Sequence, residues 1–530
     1  MTGNGLRTIS IRRASSLLAV AVVLAGCTGR SGSEPAGSTG ATAGPSGTGS
    51  PSGSPTTSGA APYWTGPASW FNPQDQPQQA ELSVYPLQRV GGGLLLTVDL
   101  RPAADLGALN YFCIGSSCDD MSGVSLVDTL ARVRYGPLKQ GEEVLSSRIR
   151  YGDQRFGVTY RFGAFFPDPG AASTMSVDLQ YGGLVPGVPV TDGEPFPGLV
   201  SDTGSDDAAG SRAFDAKVGD TVLWPVRPPG VGATVDRHDL VAKVVGGTVN
   251  EGRGVVSLNA DILFAFNSAT LSPRAASLLD SAAKLLLDKA DPGKPVKVVG
   301  YTDDVGTESF NDELSRKRAA AVGSALTGKV GGLGLTVTGR GEKDPVAANH
   351  QPGGGDNPSG RALNRRVEIS YSPRPVAAPT SSATATAGTG VAGGQGPSVD
   401  LPARSVEASQ TPPVNIATRV WPVQRDGTLT LVTADLTAEQ TRILIDPFTA
   451  QGDGSQDVSA LHVVDPVTKK VYIPAYDSDD LKRVLGSYTI GYTAGTPTHL
   501  FFFVSDLPAS LTSVTVDLGQ LGRAVGVTVR

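Results

Sequence analysis

This chain is poor in the residues that most often carry chemistry. Among 530 residues there are three cysteines, four histidines and three methionines, and aromatic side chains make up 6%. The histidines, at 238, 350, 462 and 499, are scattered and none lies near a cysteine, so no zinc motif can be read. No Ser/His/Asp order and no paired catalytic carboxylates stand in a recognisable motif, which argues against an enzyme, a cell-wall hydrolase included, and no cofactor is expected. Lys and Arg number 44 against 50 Asp and Glu, a net charge of −6 with no basic stripe, which makes nucleic acid an unlikely partner. Beyond the first 27 residues no run is long and apolar enough for a membrane-spanning helix.

The N-terminus is richer. Arg7, Arg12 and Arg13 precede an apolar run, Leu17 to Ala25, that is short for a membrane span and reads as an export signal. It ends in Leu24-Ala25-Gly26-Cys27, which resembles the bacterial lipobox. The resemblance implies that Cys27 is acylated, becomes the mature N-terminus and ties the protein to a membrane. The competing reading is an ordinary cleaved signal with a chance cysteine. Cys113 and Cys118, in CIGSSC, remain as a pair in an oxidising compartment, where a disulfide closing this short loop is expected. Residues 28–61 are almost wholly Gly, Ser, Thr, Pro and Ala and read as a disordered tether; residues 373–412 have similar composition and read as a second linker.

The regions on either side of the centre, 62–244 and 413–530, resemble each other. Tyr85-Pro86-Leu87-Gln88-Arg89 recurs as Trp421-Pro422-Val423-Gln424-Arg425. Leu126-Val127-Asp128 recurs as Val463-Val464-Asp465, and Phe165-Phe166 before TMSVDL recurs as Phe502-Phe503 before VTVDL. A nearly constant offset between these anchors means one module used twice. Short runs rich in Val, Leu, Thr and Tyr, bounded by Gly, Pro and Asp, point to antiparallel β-sandwiches, with an immunoglobulin-like arrangement as one form. The repeated Tyr/Trp-Pro anchor reads as packing in preference to a ligand platform. A protein or glycan partner of these modules, with the centre serving only as an anchor, is the main alternative to a function carried by the centre.

Between the copies, residues 245–372 alternate strands and helices, an α+β sheet with helices on one face. Strands are expected at 256–266, 295–301, 335–339 and 366–371. A helix at 273–289 carries the stripe Leu278, Leu279, Ala282, Leu285 and Leu286, and a helix at 309–326 should bury Leu314, Ala321, Val322 and Ala325. Asp303 ends a strand, and Arg318 lies two helical turns beyond the loop that follows. One acid and one base brought together in this way suit a zwitterionic ligand and do not form a nucleophile–base pair. Asn311 precedes Arg318 by seven residues and shares its helix face. On residue chemistry alone an internal Asp303–Arg318 salt bridge is an equal reading.

The segments LFAFNSATL, GYTDDVGTESFNDELSRKRAAAV, GRGEKDPVAAN and GRALNRRVEISY, in this order, resemble the OmpA-like domain family over about a quarter of the chain. The resemblance implies non-covalent binding of peptidoglycan through the diaminopimelate of its stem peptide, gripped by Asp303 and Arg318, with Asn311, Thr302 and Asn267 lining the pocket. Together with the lipobox it implies a lipid-anchored protein of the cell envelope that faces the wall. Arg361, Arg365 and Arg366 read as braces for the last strand and helix, with a minor role beside the glycan as the alternative, and Asp304 and Asp312 as solvated or capping. Tyr301 stands where many members have His, and HQPGGGDNPSG is a long Gly-rich loop beside the site.

Overall fold

A computed structural model describes residues 61–71, 77–105, 120–148, 154–179, 183–204, 215–244, 247–265, 267–351, 353–374, 396–408, 411–444, 458, 460–477, 484–487 and 490–530. Cys27, Cys113 and Cys118, the export signal and almost all of the tether lie outside these residues. Among the described residues no helix is long and apolar enough to cross a membrane.

The centre is a five-stranded mixed sheet in the spatial order Gly247–Asn250, Val255–Asn259, Arg366–Ser370, Val296–Gly300, Leu335–Gly339. Only the last pair is parallel, because the helix Glu308–Thr327 provides the crossover. The helix Ala275–Lys289 buries Leu278, Leu279, Ala282 and Leu286 as its period requires, with Leu285 half-buried. These side chains share a core with Val296, Val298, Val322, Leu326, Val367 and Ile369.

Two expectations fail here. The first strand stops at Asn259, whose side chain accepts from the Asp261 amide and starts the short helix Ala260–Leu263. The local cap ends a run that looked extended on apolar content alone. The helix Glu308–Thr327 buries Asn311, Ser315, Arg318, Ala319, Val322, Gly323 and Leu326, while Leu314, Ala321 and Ala325 are only half-buried. Its first turns lie so close to the sheet that a Cβ on Gly300 would sit 2.2 Å from the Ser315 carbonyl oxygen, and one on Gly339 would sit 2.4 Å from the Arg316 amide nitrogen. Small and polar residues therefore face inward where apolar ones were expected.

The repeat is present down to its register. Gln88 pairs with Leu95 as Gln424 pairs with Leu431, and Leu95 pairs with Phe165 as Leu431 pairs with Phe503. The Arg89 guanidinium donates to the carbonyls of Gly170 and Ala172, and that of Arg425 to those of Pro508 and Leu511. Asp128 accepts from the amides of Leu130 and Ala131, and Asp465 from those of Val467 and Thr468. The next position in each turn has positive φ, Arg132 at 56° and Lys469 at 61°. Even the register shift between Met175 and Val177 recurs between Val514 and Val516. The anchor aromatics pack as expected: Tyr85 is buried with its hydroxyl on Asp99, and Trp421 is half-buried.

The copies depart from the expected arrangement in three ways. The first is not purely antiparallel: Leu87–Val90 runs parallel to Leu184–Thr191, and Thr221–Leu223 runs parallel to Thr159–Pro167. These partners lie more than 60 residues apart in sequence, and the first pairing recurs in the second copy, where Val423 bridges Val529 in parallel. Next, the tract expected to be linker is a strand from Val399 to Ala408, paired with Thr411–Val420, because Leu401, Val406, Val414 and Ile416 supply an inward apolar row. Finally, the copies and the centre share one strand. Arg237–Val244 pairs through residues 237–239 with Val133–Tyr135 of the first copy, through 240–242 with Ala475–Asp477 of the second, and through 242–244 with Gly247–Asn250 of the centre. Beside it the buried pair Arg134–Asp477 joins the copies. Arg132 of the first copy, 2% exposed, donates to Thr428 of the second and, at 2.7 Å, to Glu251 of the centre.

Candidate functional site

The strand Val296–Gly300 runs into Tyr301, Thr302 and Asp303. The Tyr301 amide donates to the Arg366 carbonyl and the Thr302 amide to the Gly341 carbonyl, so the strand end is held on both sides. Thr307 caps the following helix through the Phe310 amide. That start places Asn311 in the first turn and Arg318 two turns later, both buried.

Asn311 and Asp303 are joined directly: the Asn311 amide nitrogen donates to the Asp303 main-chain carbonyl at 3.3 Å and to Glu342 at 2.7 Å. Arg318, 5% exposed, donates from Nε to the Ser268 carbonyl at 3.0 Å and lies 5.3 Å from the Phe264 ring centre. The Ser268 carbonyl is presented by a turn in which Asn267 has φ 48°; Asn267 itself is exposed at the rim. Burial pulls the Arg318 guanidinium below its ordinary pKa, and Arg365 adds repulsion; Asp261 and Asp303 oppose the shift. The hydroxyl of Thr302 is buried and has no hydrogen-bond partner among the described residues.

Asp303 and Arg318 therefore lie within electrostatic reach, yet no ion pair links them within 4 Å among the described residues. Asp303 is held by other cations. Its Oδ2 accepts from Arg365 Nη1 at 2.7 Å and lies 3.6 Å from Arg361 Nε. Arg365 also forks onto Asp261 at 2.9 and 2.6 Å, and its hydrogen bonds to Asp261 and Asp303 hold its proton more tightly than usual. Arg361 pairs outward with Asp356. Of the three arginines expected to brace the last strand, only Arg366 does so: it bonds Glu368 and stacks 3.8 Å from the Tyr301 ring centre. The other two belong to the site. Their signal was the four-residue spacing on the helix Pro358–Asn364 and its cap, which puts both guanidiniums on one side.

The loop beside the site is held by Asn364, which is fully buried. It accepts from the amides of Val346 and Ala347 and donates to the Ala347 carbonyl and the Asn349 side chain. Asp304 bonds His350 at 2.9 Å and Asp312 faces Lys343, so both acids are paired as well as solvated. Among the described residues no group of three or more His, Cys, Asp or Glu could hold a metal ion. The arrangement offers a buried cation with free donor capacity, a shared acid and an unpartnered hydroxyl. Such a set recognises a small charged group by hydrogen bonds and contains no activated nucleophile.

Residues 263–357 match the OmpA family model. The chain is 38% identical over 115 residues to Outer membrane protein A of Bordetella avium, covering 22% of this chain and 55% of that protein. It is 34% identical over 146 residues to Peptidoglycan-binding protein ArfA of Mycobacterium tuberculosis, covering 27% of this chain and 38% of that protein. Among solved structures, the peptidoglycan-associated lipoprotein of Burkholderia pseudomallei is 30% identical, with 21% of this chain and 88% of that one covered and a TM-score of 0.17. The chain thus spans about half or less of the length of these two sequence relatives.

Proposed function

Because residues 263–357 form a domain of the OmpA family, we propose that this chain is a cell-envelope protein that binds peptidoglycan non-covalently and does no chemistry on it. The pocket at Asp303 and Arg318 takes the free amino-acid end of a diaminopimelate residue in the stem peptide. The carboxylate of that end lies on Arg318 in a charge-assisted pair, and its ammonium shares Asp303 with Arg365. Thr302 and Asn311 add hydrogen bonds, and Asn267 forms the rim. The observation that carries this reading is the Arg318 guanidinium, which is buried with no carboxylate within ion-pair distance among the described residues. A buried charge is costly when unpaired, and a ligand carboxylate would supply the missing partner. The sequence relative named for peptidoglycan binding supports the same ligand class.

The envelope setting rests on sequence. Acylation at Cys27 would anchor the mature chain in the membrane, facing the wall, and a Cys113–Cys118 disulfide fits that compartment. The test uses the whole mature chain, because the centre shares a strand with both copies. In co-sedimentation with insoluble peptidoglycan, Arg318→Met should lower the bound fraction at least tenfold without lowering the melting temperature. Undiminished binding by that variant would remove the pocket from the proposal, and no sedimentation of the parent chain would remove the function.

A further inference from the structure

The two ends of the proposed zwitterion do not meet equal partners. Arg318 is 5% exposed, and its one hydrogen bond among the described residues goes to a neutral carbonyl, that of Ser268. Asp303, by contrast, is already bonded by Arg365 at 2.7 Å and faced by Arg361 at 3.6 Å. The outer acids that balance these arginines, Asp261 and Asp356, have side chains 48% and 55% exposed, so water and salt screen them. Among the three guanidiniums Asp303 is the one buried acid; Asp261, the carboxylate that Arg318 feels most, is already forked onto Arg365. A ligand ammonium arriving at Asp303 must share its acceptor with Arg365 and approach two cations. A ligand carboxylate arriving at Arg318 meets no competitor and adds the missing negative charge.

We infer that the carboxylate of the ligand's free amino-acid end, and not its ammonium, carries recognition in this pocket, so that conversion of that carboxylate to an amide releases the protein from the wall. The inference rests on the peptidoglycan reading. An amide keeps the shape but turns one acceptor oxygen into an NH2 donor and leaves the buried Arg318 without an anion. Loss of one partner from a desolvated charge pair costs about thirtyfold or more in affinity. Loss of the ammonium leaves Asp303 with the arginine it already has.

Four synthetic stem peptides, L-Ala–γ-D-Glu–X–D-Ala, separate the terms when titrated into the full mature chain by calorimetry. In each, the backbone of X is in peptide bonds, so only its side-chain end differs. With X as meso-diaminopimelate both groups are present. With X as 2-aminopimelate only the carboxylate remains. The diaminopimelate carboxamide and lysine both keep the ammonium and lose the carboxylate. The expected order places 2-aminopimelate within about fivefold of diaminopimelate, and the amide and lysine peptides weaker by about thirtyfold or more. An amide peptide that binds as well as the free acid overturns the inference, as does a lysine peptide that outcompetes the 2-aminopimelate one. No binding of the diaminopimelate peptide itself, to a chain that melts cooperatively, takes down the peptidoglycan reading and this inference with it.

Discussion

Replacing Arg318 by methionine separates a ligand-binding arginine from a structural one. Among the described residues the guanidinium makes one hydrogen bond, to the Ser268 carbonyl, and one ring contact, with Phe264. The bond contributes about 1.5–3 kcal/mol as one made by a charged group, and the ring contact about 1 kcal/mol. Against this stands the cost of keeping a charge 5% exposed with no carboxylate within 4 Å among the described residues, several kcal/mol after relaxation. Methionine fills much of the same volume, keeps the apolar stem and removes that cost. Folding stability should therefore change by no more than about 1 kcal/mol, and stabilisation is the expected sign. Wall binding should fall by about 2 kcal/mol or more, about thirtyfold, because the ligand carboxylate loses its desolvated partner. Denaturant melts and co-sedimentation with peptidoglycan on the same preparation give both numbers. If the variant loses about 3 kcal/mol of stability and still sediments with the wall, Arg318 is a structural residue and the site has been placed wrongly.

The remaining predictions concern the frame around the site. Arg132→Ala removes a buried guanidinium bonded to Glu251 and Thr428 and should cost about 3–5 kcal/mol, whereas Lys469→Ala at the matching turn should stay within about 0.5 kcal/mol; urea midpoints of the two variants decide. Asn364→Ala strips four hydrogen bonds from the loop at 346–349 and should cost about 2–3 kcal/mol, with faster amide exchange at Val346 and Ala347 as the local readout. Burial raises the Asp426 carboxyl above its ordinary pKa, although Thr129 and Ser176 donate to it. Its folded form thus binds the proton more tightly than the unfolded one. The stability it contributes is full below the ordinary carboxylate pKa and is lost as pH rises through the raised value. Asp426→Asn should accordingly raise the melting temperature at pH 7 relative to the parent, with the difference shrinking toward pH 4; a constant difference across that range would mean Asp426 does not titrate as buried.

What could be read from sequence was local chemistry and spacing. Asp303, Asn311 and Arg318 were legible because a strand end, a capped helix start and a seven-residue interval fix their geometry without help from distant residues. The repeat was legible because Tyr85 and Trp421, and Asp128 and Asp465, nearly keep their offset; the phenylalanine anchor was read one residue out, since Phe165 corresponds to Phe503 and not to Phe502. Arg365 was misread because its partners, Asp261 and Asp303, lie 104 and 62 residues away, and only the folded sheet brings them together. The helix face carrying Arg318 was misread for a related reason. Apolar periodicity finds the side of a helix that meets a greasy core, and this side meets glycine-lined strands and a polar pocket. The strand at Val399–Ala408 was hidden by a composition rich in Pro, Ser and Ala, with too few apolar residues to outweigh it before their partner strand was known.

Arg132 and Lys469 set the limit of that legibility most sharply. Both follow an aspartate that accepts from two turn amides, and both adopt the same left-handed backbone. Up to that point the two copies are one local structure, and no property of the turn assigns them different tasks. Lys469 nevertheless reaches the Pro466 carbonyl, three residues back in its own turn, and stays exposed, while Arg132 is buried where three parts of the chain meet. The difference comes from docking. The hairpin tip at Asp426–Thr428 of the second copy packs on the turn of the first, and the Glu251 turn of the centre reaches the same guanidinium. Nothing equivalent covers the turn of the second copy among the described residues. A five-donor planar cation can bond a hydroxyl, a carbonyl and a carboxylate at once, and a lysine cannot reproduce that fork. The sequence difference between the two turns is thus a consequence of which copy is covered. The pocket is consequently held in a frame built by both copies, since the strand that begins in the first copy and pairs with the second continues into the sheet from which Asp303 projects.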